Sequence, residues 1–168
     1  MSRSRRLRVG SVASLMCVAL AASCASQRPP TEIFLVVDAE APLRADASSL
    51  RLRVTGTSVG GASEIALDRT VSGAELTWPV TVGIVPRGND ATRGLLVEAT
   101  LTSTAGAAVG ASARTSYLPE QIRVLGLFLE ACCAGVACAD RETCAACACA
   151  SDAIDVATLP VFAADAGR

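Results

Sequence analysis

Six of the eight cysteines of this chain lie within residues 132–149, and their spacing allows three kinds of chemistry. Thiolates can ligate a metal, exchange electrons with other thiols, or pair as disulfides. A zinc-like set would use the four cysteines Cys138, Cys144, Cys147 and Cys149. Only one Cys-x2-Cys half, Cys144 to Cys147, is present there, and the chain contains no histidine to complete it. Redox catalysis through Cys144 and Cys147 needs a thioredoxin-like βαβ context, which the flanking sequence does not show.

The same segment has too little apolar surface to fold without cross-links. Val136 is its one sizeable apolar side chain, and the other residues are alanine, glycine, cysteine or polar. Such a composition cannot offset the entropy lost on ordering. We therefore predict that residues 132–149 form a disulfide module without a metal or other cofactor. A cysteine-based metal-binding or redox protein is the alternative.

The pairing within this module is only partly constrained by the sequence. Cys132 and Cys133 are adjacent, with Cα atoms about 3.8 Å apart, which is below the usual disulfide range. Excluding that pair leaves about 12 of the 15 possible connectivities. A regular frame is formed by Cys133, Cys138, Cys144 and Cys149. Cys132 and Cys147 lie outside the frame, and we hypothesise that they pair with each other.

The N-terminus has the layout of a secretory signal peptide. Four arginines precede an uncharged run of 15 residues, 9–23. This run is shorter than the roughly 17–25 residues of a membrane-spanning helix. We predict that residues 1–23 form a signal helix that is cleaved off. The paired arginines within residues 4–9 leave twin-arginine export as an alternative route.

The sequence LAASC, residues 20–24, resembles the lipobox of bacterial lipoproteins. In that family, small residues precede a cysteine that is lipidated and becomes the new N-terminus. The resemblance implies acylation of Cys24, with palmitate among the acyl chains. Ala25 stands where an aspartate would often signal inner-membrane retention, so we expect anchoring to the outer membrane. Ordinary signal-peptidase cleavage at the same bond is the alternative. Loss of Cys17 with the signal peptide and acylation of Cys24 would leave an even six cysteines, which favours lipidation.

The lipidated cysteine would be followed by a short tether, so we assign residues 24–31 to the anchor and tether. The seven residues 25–31 reach roughly 23 Å when fully extended. Pro29 and Pro30 stiffen this segment. The domain is therefore expected to stay close to its membrane.

Residues 32–131 alternate between apolar and polar side chains with the period of β-strands. Leu50, Leu52 and Val54, for example, are separated by arginines. Turn residues separate seven such runs: 32–38, 50–56, 63–71, 74–86, 94–104, 107–117 and 120–131. This pattern predicts an all-β domain, an antiparallel β-sandwich of immunoglobulin or fibronectin type. A partly open barrel is the alternative, and Pro79 marks an edge strand or a kink.

Charge and composition exclude several functions. All 15 basic residues are arginine, so lysine Schiff-base and histidine-based catalysis are both impossible. Loss of the four arginines in residues 1–23 leaves 11 against 16 acidic residues, a net charge of −5. This acidic balance gives no electrostatic case for binding nucleic acid.

The sandwich region offers few candidate sites of its own. The sequence PRGND, residues 86–90, is interpreted as a hairpin turn rather than a calcium loop. Trp78 is interpreted as a core residue rather than a ligand platform. Two carboxylate pairs, Asp38 with Glu40 and Glu64 with Asp68, are interpreted as solvated groups rather than a glycosidase pair.

The C-terminal region resembles small lipoproteins of myxobacterial type. Residues 128–160 carry their C-x-G-V-x-C-x5-C-x4-C element, followed by an acidic stretch that ends at Leu159 and Pro160. Cys132 and Cys147 are additions to that element. The resemblance implies a β-rich domain, a cysteine-rich end and an envelope location, with residues 150–168 as a C-terminal tail.

Together these features predict a non-enzymatic, membrane-anchored lipoprotein of the cell envelope. Its domain is expected to bind a partner or to serve a structural role. The expected partners are the membrane, through Cys24, and an envelope protein, but not nucleic acid.

Overall fold

A computed structural model describes residues 30–163, and its main body is a sandwich of two β-sheets. Seven strands form the sheets: β1 Glu32–Ala39, β2 Ala47–Thr57, β3 Ser63–Ser72, β4 Val80–Ile84, β5 Gly94–Ser103, β6 Ala108–Thr115 and β7 Ile122–Leu129. The predicted fold class and all seven predicted strands are thus confirmed. The strands form two separate sheets, so the barrel alternative was wrong. The predicted signal peptide and Cys24 lie outside the described residues.

The first sheet has the strand order β4-β1-β7 and the second has the order β3-β2-β5-β6. All neighbouring strands are antiparallel except β1 and β7, which run parallel. This pair departs from the expected antiparallel arrangement. The parallel pairing arises because the connection of residues 116–121 crosses from one sheet to the other at the end where β1 begins. The strand β7 therefore runs in the same direction as β1.

The core lies between the two sheets and follows the predicted alternation. Leu50, Leu52 and Val54 of β2 are at most 1% exposed, and Leu125, Leu127 and Leu129 of β7 are also buried. In β1, Ile33, Leu35 and Val37 are fully buried, whereas the side chains of the opposite face are half-buried. Phe34 on that outer face contacts Phe162, with ring centroids 4.8 Å apart. The second face of β1 is therefore covered in part by the C-terminal tail.

The strand next to Pro79 is shorter than the predicted strand 74–86. A single 3-10 turn, Gly73–Glu75, comes first, and the peptide bond between Trp78 and Pro79 is cis. The strand itself covers only Val80–Ile84 and lies at the edge of its sheet, as the proline indicated. Trp78 is half-buried and packs against the core, as predicted.

One helix was not predicted, α1 at Ala41–Asp46, which joins the two sheets between β1 and β2. Pro42 lies in its first turn, where a missing N–H costs nothing. The Arg44 guanidinium donates to the carbonyl of Ala39 at 2.5 Å. Among residues 30–163, no helix is long and apolar enough to span a membrane.

The predicted disulfide module of residues 132–149, hereafter the cysteine module, includes most of a hairpin that the sequence did not predict. Its strands are β8 Glu142–Ala145 and β9 Ala148–Ser151. Its two-residue turn is Ala146 and Cys147, and both have positive φ, 49° and 64°. This is the backbone of a type I′ turn, which normally requires glycine or asparagine. The local sequence therefore gave no signal for it.

Candidate functional site

The six cysteines of residues 132–149 form three disulfides in the structure. The pairs are Cys132–Cys147, Cys133–Cys144 and Cys138–Cys149, with Cα–Cα distances of 5.3, 5.8 and 5.5 Å. The hypothesised pairing of Cys132 with Cys147 is thus confirmed. Cys144 and Cys147, the two halves of the Cys-x2-Cys motif, belong to different disulfides. The geometry therefore favours neither the zinc-like set nor the Cys-Ala-Ala-Cys redox centre.

All three disulfides join the β8–β9 hairpin to the chain that precedes it. Cys144 and Cys149 lie directly opposite each other in the hairpin, yet each is bonded to a cysteine of residues 132–138. The turn residue Cys147 is bonded to Cys132. The Glu130 carboxylate also accepts a hydrogen bond from the N–H of Ala146. The cross-links thus hold a turn that its own residues disfavour.

The module is attached to the sandwich through its innermost disulfide. Cys133 and Cys144 are 3% and 7% exposed and belong to the same hydrophobic cluster as the sandwich core. Cys132 and Cys147 are exposed on the outside. Val156 and Leu159, which follow the module, are buried in the same cluster. The predicted segments 32–131 and 132–149 therefore share one core.

An ion pair joins the segment after the module to the edge strand β6. Arg114 Nε lies 2.8 Å from Asp152 Oδ2, and the Asp152 side chain is only 2% exposed. The backbone N–H of Arg114 donates to the Asp152 carbonyl at 2.6 Å, and the N–H of Ile154 donates to the Arg114 carbonyl at 2.8 Å. Farther along β6, the N–H of Ser112 donates to Thr143 Oγ1 at 2.9 Å. The module and the segment that follows it thus cover the backbone edge of β6.

The tail covers the edge of β7 in the same way. The N–H of Val124 donates to the carbonyl of Pro160 at 2.8 Å, and the N–H of Phe162 donates to the carbonyl of Ile122 at 2.9 Å. Arg123 donates from its guanidinium to the carbonyl of Leu159 at 2.6 Å. One side of the sandwich is therefore closed by residues 132–162, whereas β3 and β4 are the edge strands of its opposite side.

The predicted carboxylate candidates are held by ion pairs or backbone groups. Asp68 accepts two hydrogen bonds from Arg51, at 2.8 and 2.6 Å, and the pKa of its carboxyl is lowered by that guanidinium. Glu64 accepts from Arg87 at 2.6 Å and from Arg93 at 2.8 Å. Both carboxylates are therefore members of ion pairs rather than only solvated groups.

The other carboxylate pair is occupied in a similar manner. Asp38 accepts from Arg44 at 2.9 Å, and Glu40 accepts from the backbone N–H of Ala131 at 3.0 Å. Glu40 therefore links the end of β1 to the start of the module. The structure gives both carboxylates a positional role.

Residues 86–90 form a turn, but the interpretation as a hairpin turn was wrong, because the loop joins β4 of one sheet to β5 of the other and these strands do not pair. Gly88 and Asn89 have positive φ, and Asp90 Oδ1 accepts from both the N–H and the hydroxyl of Thr92. These hydrogen bonds lower the pKa of the Asp90 carboxyl. Nearby Tyr117 is buried, and this burial raises the pKa of its hydroxyl to about 12.

The sequence did not identify the residues that dock the module, Arg114, Thr143 and Asp152. Arg114 and Asp152 are 38 positions apart, and neither lies in a recognisable motif. A possible ligand set of Glu130, Cys132 and Cys133 also lies within 4.8 Å, but both of its sulfurs are in disulfides. That set therefore offers a single carboxylate for a metal ion.

No protein family model matches the chain, and no curated protein matches its sequence. The resemblance to small myxobacterial-type lipoproteins accordingly stays an expectation.

Proposed function

We propose that the protein is a non-enzymatic lipoprotein of the cell envelope, anchored by Cys24, whose sandwich serves as a binding or structural module. The three disulfides of residues 132–149 carry this proposal. Disulfides persist in exported proteins and are rare in reducing cytosol. They therefore support the export that the N-terminal residues indicate.

The distribution of ionisable groups supports a role other than catalysis. Each candidate carboxylate pair contacts arginines or backbone N–H groups, and the six module cysteines are oxidised. A nucleophile and its base must lie within hydrogen-bond reach of each other. The arrangement of the described side chains instead serves to hold strands, turns and the module together.

The anchor is tested by expressing the full chain in a Gram-negative host with labelled palmitate. We expect the label on the mature protein and its partition into the detergent phase, because several acyl chains hold a protein on a membrane. Cys24→Ala should remove both properties. Cys17→Ala is the matched control and should keep them, since that cysteine leaves with the signal peptide. An unmodified N-terminal Cys24 peptide in the wild-type protein would overturn the proposal.

A thiol count tests the oxidised state on which the proposal depends. The purified protein, denatured without reductant, should show no reactive thiol in residues 132–149. Six reactive thiols, or a metal bound in stoichiometric amount, would instead support the metal-binding or redox alternative. A fractionation of inner and outer membranes then tests the proposed outer-membrane location.

A further inference from the structure

The chain enters the sandwich at a fixed point, which defines one end of the molecule. Thr31 is 2% exposed, its hydroxyl accepts from the N–H of Glu120 at 3.0 Å, and the N–H of Glu32 donates to the carbonyl of Gln121 at 3.1 Å. The tether to Cys24 therefore begins from an immobilised residue. We call this region the tether end, comprising Thr31, the turn 58–62, the loop 85–93 and the loop 116–121.

The strand directions place those loops together at the tether end. Ile33 near the start of β1 lies opposite Ile84 at the end of β4, so the loop 85–93 begins there. Thr57 at the end of β2 pairs with both Ser63 and Gly94, which places the turn 58–62 at the same level. Residues 56, 64, 84, 93 and 117 line a common cleft of about 280 Å³, which brings the two sheets together at this end.

Exposed apolar side chains concentrate at the tether end. Of the seven large hydrophobic residues exposed in the described part of the chain, five lie in or near it: Val59, Ile65, Val85, Val161 and Phe162. Val59 at the tip of its turn is 78% exposed and Val85 is 58% exposed. The N–H of Phe162 donates a hydrogen bond to the carbonyl of Ile122, the first residue of β7, so Phe162 lies at the same level. Of the other two, Phe128 lies beside the cysteine module and Val136 lies within it.

The opposite end has a different surface. It consists of the helix Ala41–Asp46, the 3-10 turn Gly73–Glu75 and the turn 104–107, whose side chains are mostly small or charged. None of the seven exposed large hydrophobic residues of the described chain belongs to these three segments. Phe128, opposite Asp38 near the end of β7, is exposed at the level of this end, so the two ends differ in the apolar content of their loops.

The length of the tether selects the lipid surface as the occupant of this apolar end. The seven residues 25–31 reach at most roughly 23 Å. The 11 residues of β2 alone span roughly 35 Å at the rise of a β-strand. An anchored Cys24 thus holds the tether end within roughly 23 Å of the membrane, a distance shorter than the sandwich, so the tether end is the part within constant reach of the lipid.

From this placement we propose that the tether end contacts the lipid surface through Val59, Ile65, Val85, Val161 and Phe162, so that the sandwich stands on its anchored end. The inference rests on the proposed lipidation of Cys24. The contact is apolar rather than electrostatic, because Arg87 and Arg93 at this end are both paired with Glu64. Such side chains enter the headgroup region, in the manner of apolar residues of interfacial proteins.

Tryptophan quenching by brominated lipid tests this orientation with the lipidated mature protein. The reporter is Val59→Trp, and the matched control is Ala105→Trp, an exposed residue in the turn at the opposite end. Both keep Trp78, which precedes β4 at that opposite end. In brominated phosphatidylcholine vesicles, Val59→Trp should lose about half of its added emission, because an interfacial side chain lies roughly 5–10 Å deep. Ala105→Trp and wild type should be unaffected.

Two further variants separate apolar contact from mere proximity. Adding Val85→Asp to Val59→Trp should reduce the quenching, whereas adding Val136→Asp, within the module, should leave it unchanged. High salt should have little effect, since it screens exposed charges but not apolar contact. Loss of quenching in high salt would overturn the apolar contact.

The outcomes distinguish this inference from the proposed function. If the protein floats with the vesicles but Val59→Trp is quenched no more than Ala105→Trp, the anchor stands and the orientation is overturned. If the protein does not float and its N-terminal peptide is unmodified, the anchor is overturned and the inference falls with it.

Discussion

In the sandwich, large aliphatic side chains such as Leu35, Leu52 and Leu125 are fully buried between two sheets, whereas in residues 132–149 only Cys133 and Cys144 are buried. The sandwich is therefore stabilised mainly by the removal of apolar surface from water. The module has little such surface and depends on cross-links that restrict its unfolded state. One chain thus combines two sources of stability, apolar burial and disulfide cross-links, and only the second is lost on reduction.

Reduction should affect the two regions unequally, and this is the largest effect we expect. Each disulfide contributes about 2–4 kcal/mol, and all three lie in the module. After reduction, amides of residues 132–151 should exchange with solvent at rates near those of an unfolded chain. Amides of β2 and β5 should remain protected. Simultaneous loss of protection in both regions would instead make them one cooperative unit.

The ion pair that joins the sandwich to Asp152, just after the module, should be the next most sensitive point. Arg114→Met leaves the buried Asp152 carboxylate without its partner, which costs at most about 3–5 kcal/mol, because the Arg114 side chain is itself 40% exposed. Unfolding in denaturant should show this loss. Arg114→Met combined with Asp152→Leu should recover much of it, because the buried charge is removed. Equal instability of the single and double variants would contradict a role for the unpaired charge.

A cavity in the sandwich core should destabilise the protein by as much as the loss of the Arg114–Asp152 ion pair or by less. Leu52→Ala removes a fully buried side chain of β2 and should cost about 2–5 kcal/mol. The loss should be similar with the disulfides oxidised or reduced, because β2 pairs with β3 and β5 and not with a strand of the module. Val59→Ala, at an exposed turn, is the matched control and should change the free energy of unfolding little.

The surface pair of Arg51 and Asp68 should have the smallest effect on stability, and this effect should depend on pH. The Arg51 guanidinium lowers the pKa of the Asp68 carboxyl below the ordinary 3.8. Because the folded-state pKa is lowered, the contribution is present above pH 4 and is lost as the pH falls through the folded value. Asp68→Asn should therefore reduce the acid dependence of unfolding below pH 4. If the acid dependence of unfolding were unchanged in this variant, the pair would not contribute to the stability of the sheet.

The predictable part of the fold was the part determined by neighbouring residues. The alternation in β2 identified Leu50, Leu52 and Val54 as core residues because a strand presents every second side chain to the same face. Pro79 correctly marked an edge strand, since it has no N–H to donate to a neighbour. The cysteine content and the absence of a local core were sufficient to predict the disulfides.

The unpredicted features depend on contacts between distant segments. The parallel pairing of β1 with β7 joins residues about 90 positions apart, and nothing within either strand specifies it. The turn at Ala146 and Cys147 lacks the usual turn residues, because Cys132 and Glu130 hold it from outside. The ion pair of Arg114 with Asp152 likewise exists only once the module lies on β6. Sequence patterns report local preferences and not such long-range contacts.

The connectivity of the module also has a consequence for how the newly exported chain becomes oxidised. The native pairs are separated by 11, 11 and 15 positions, although Cys144, Cys147 and Cys149 are within five positions of one another. Closing a short loop costs less entropy than closing a long one, so these neighbours meet early in an unfolded chain. Reaching the native pairs then requires thiol–disulfide exchange. Maturation of this protein should accordingly depend on a disulfide isomerase and not on an oxidase alone.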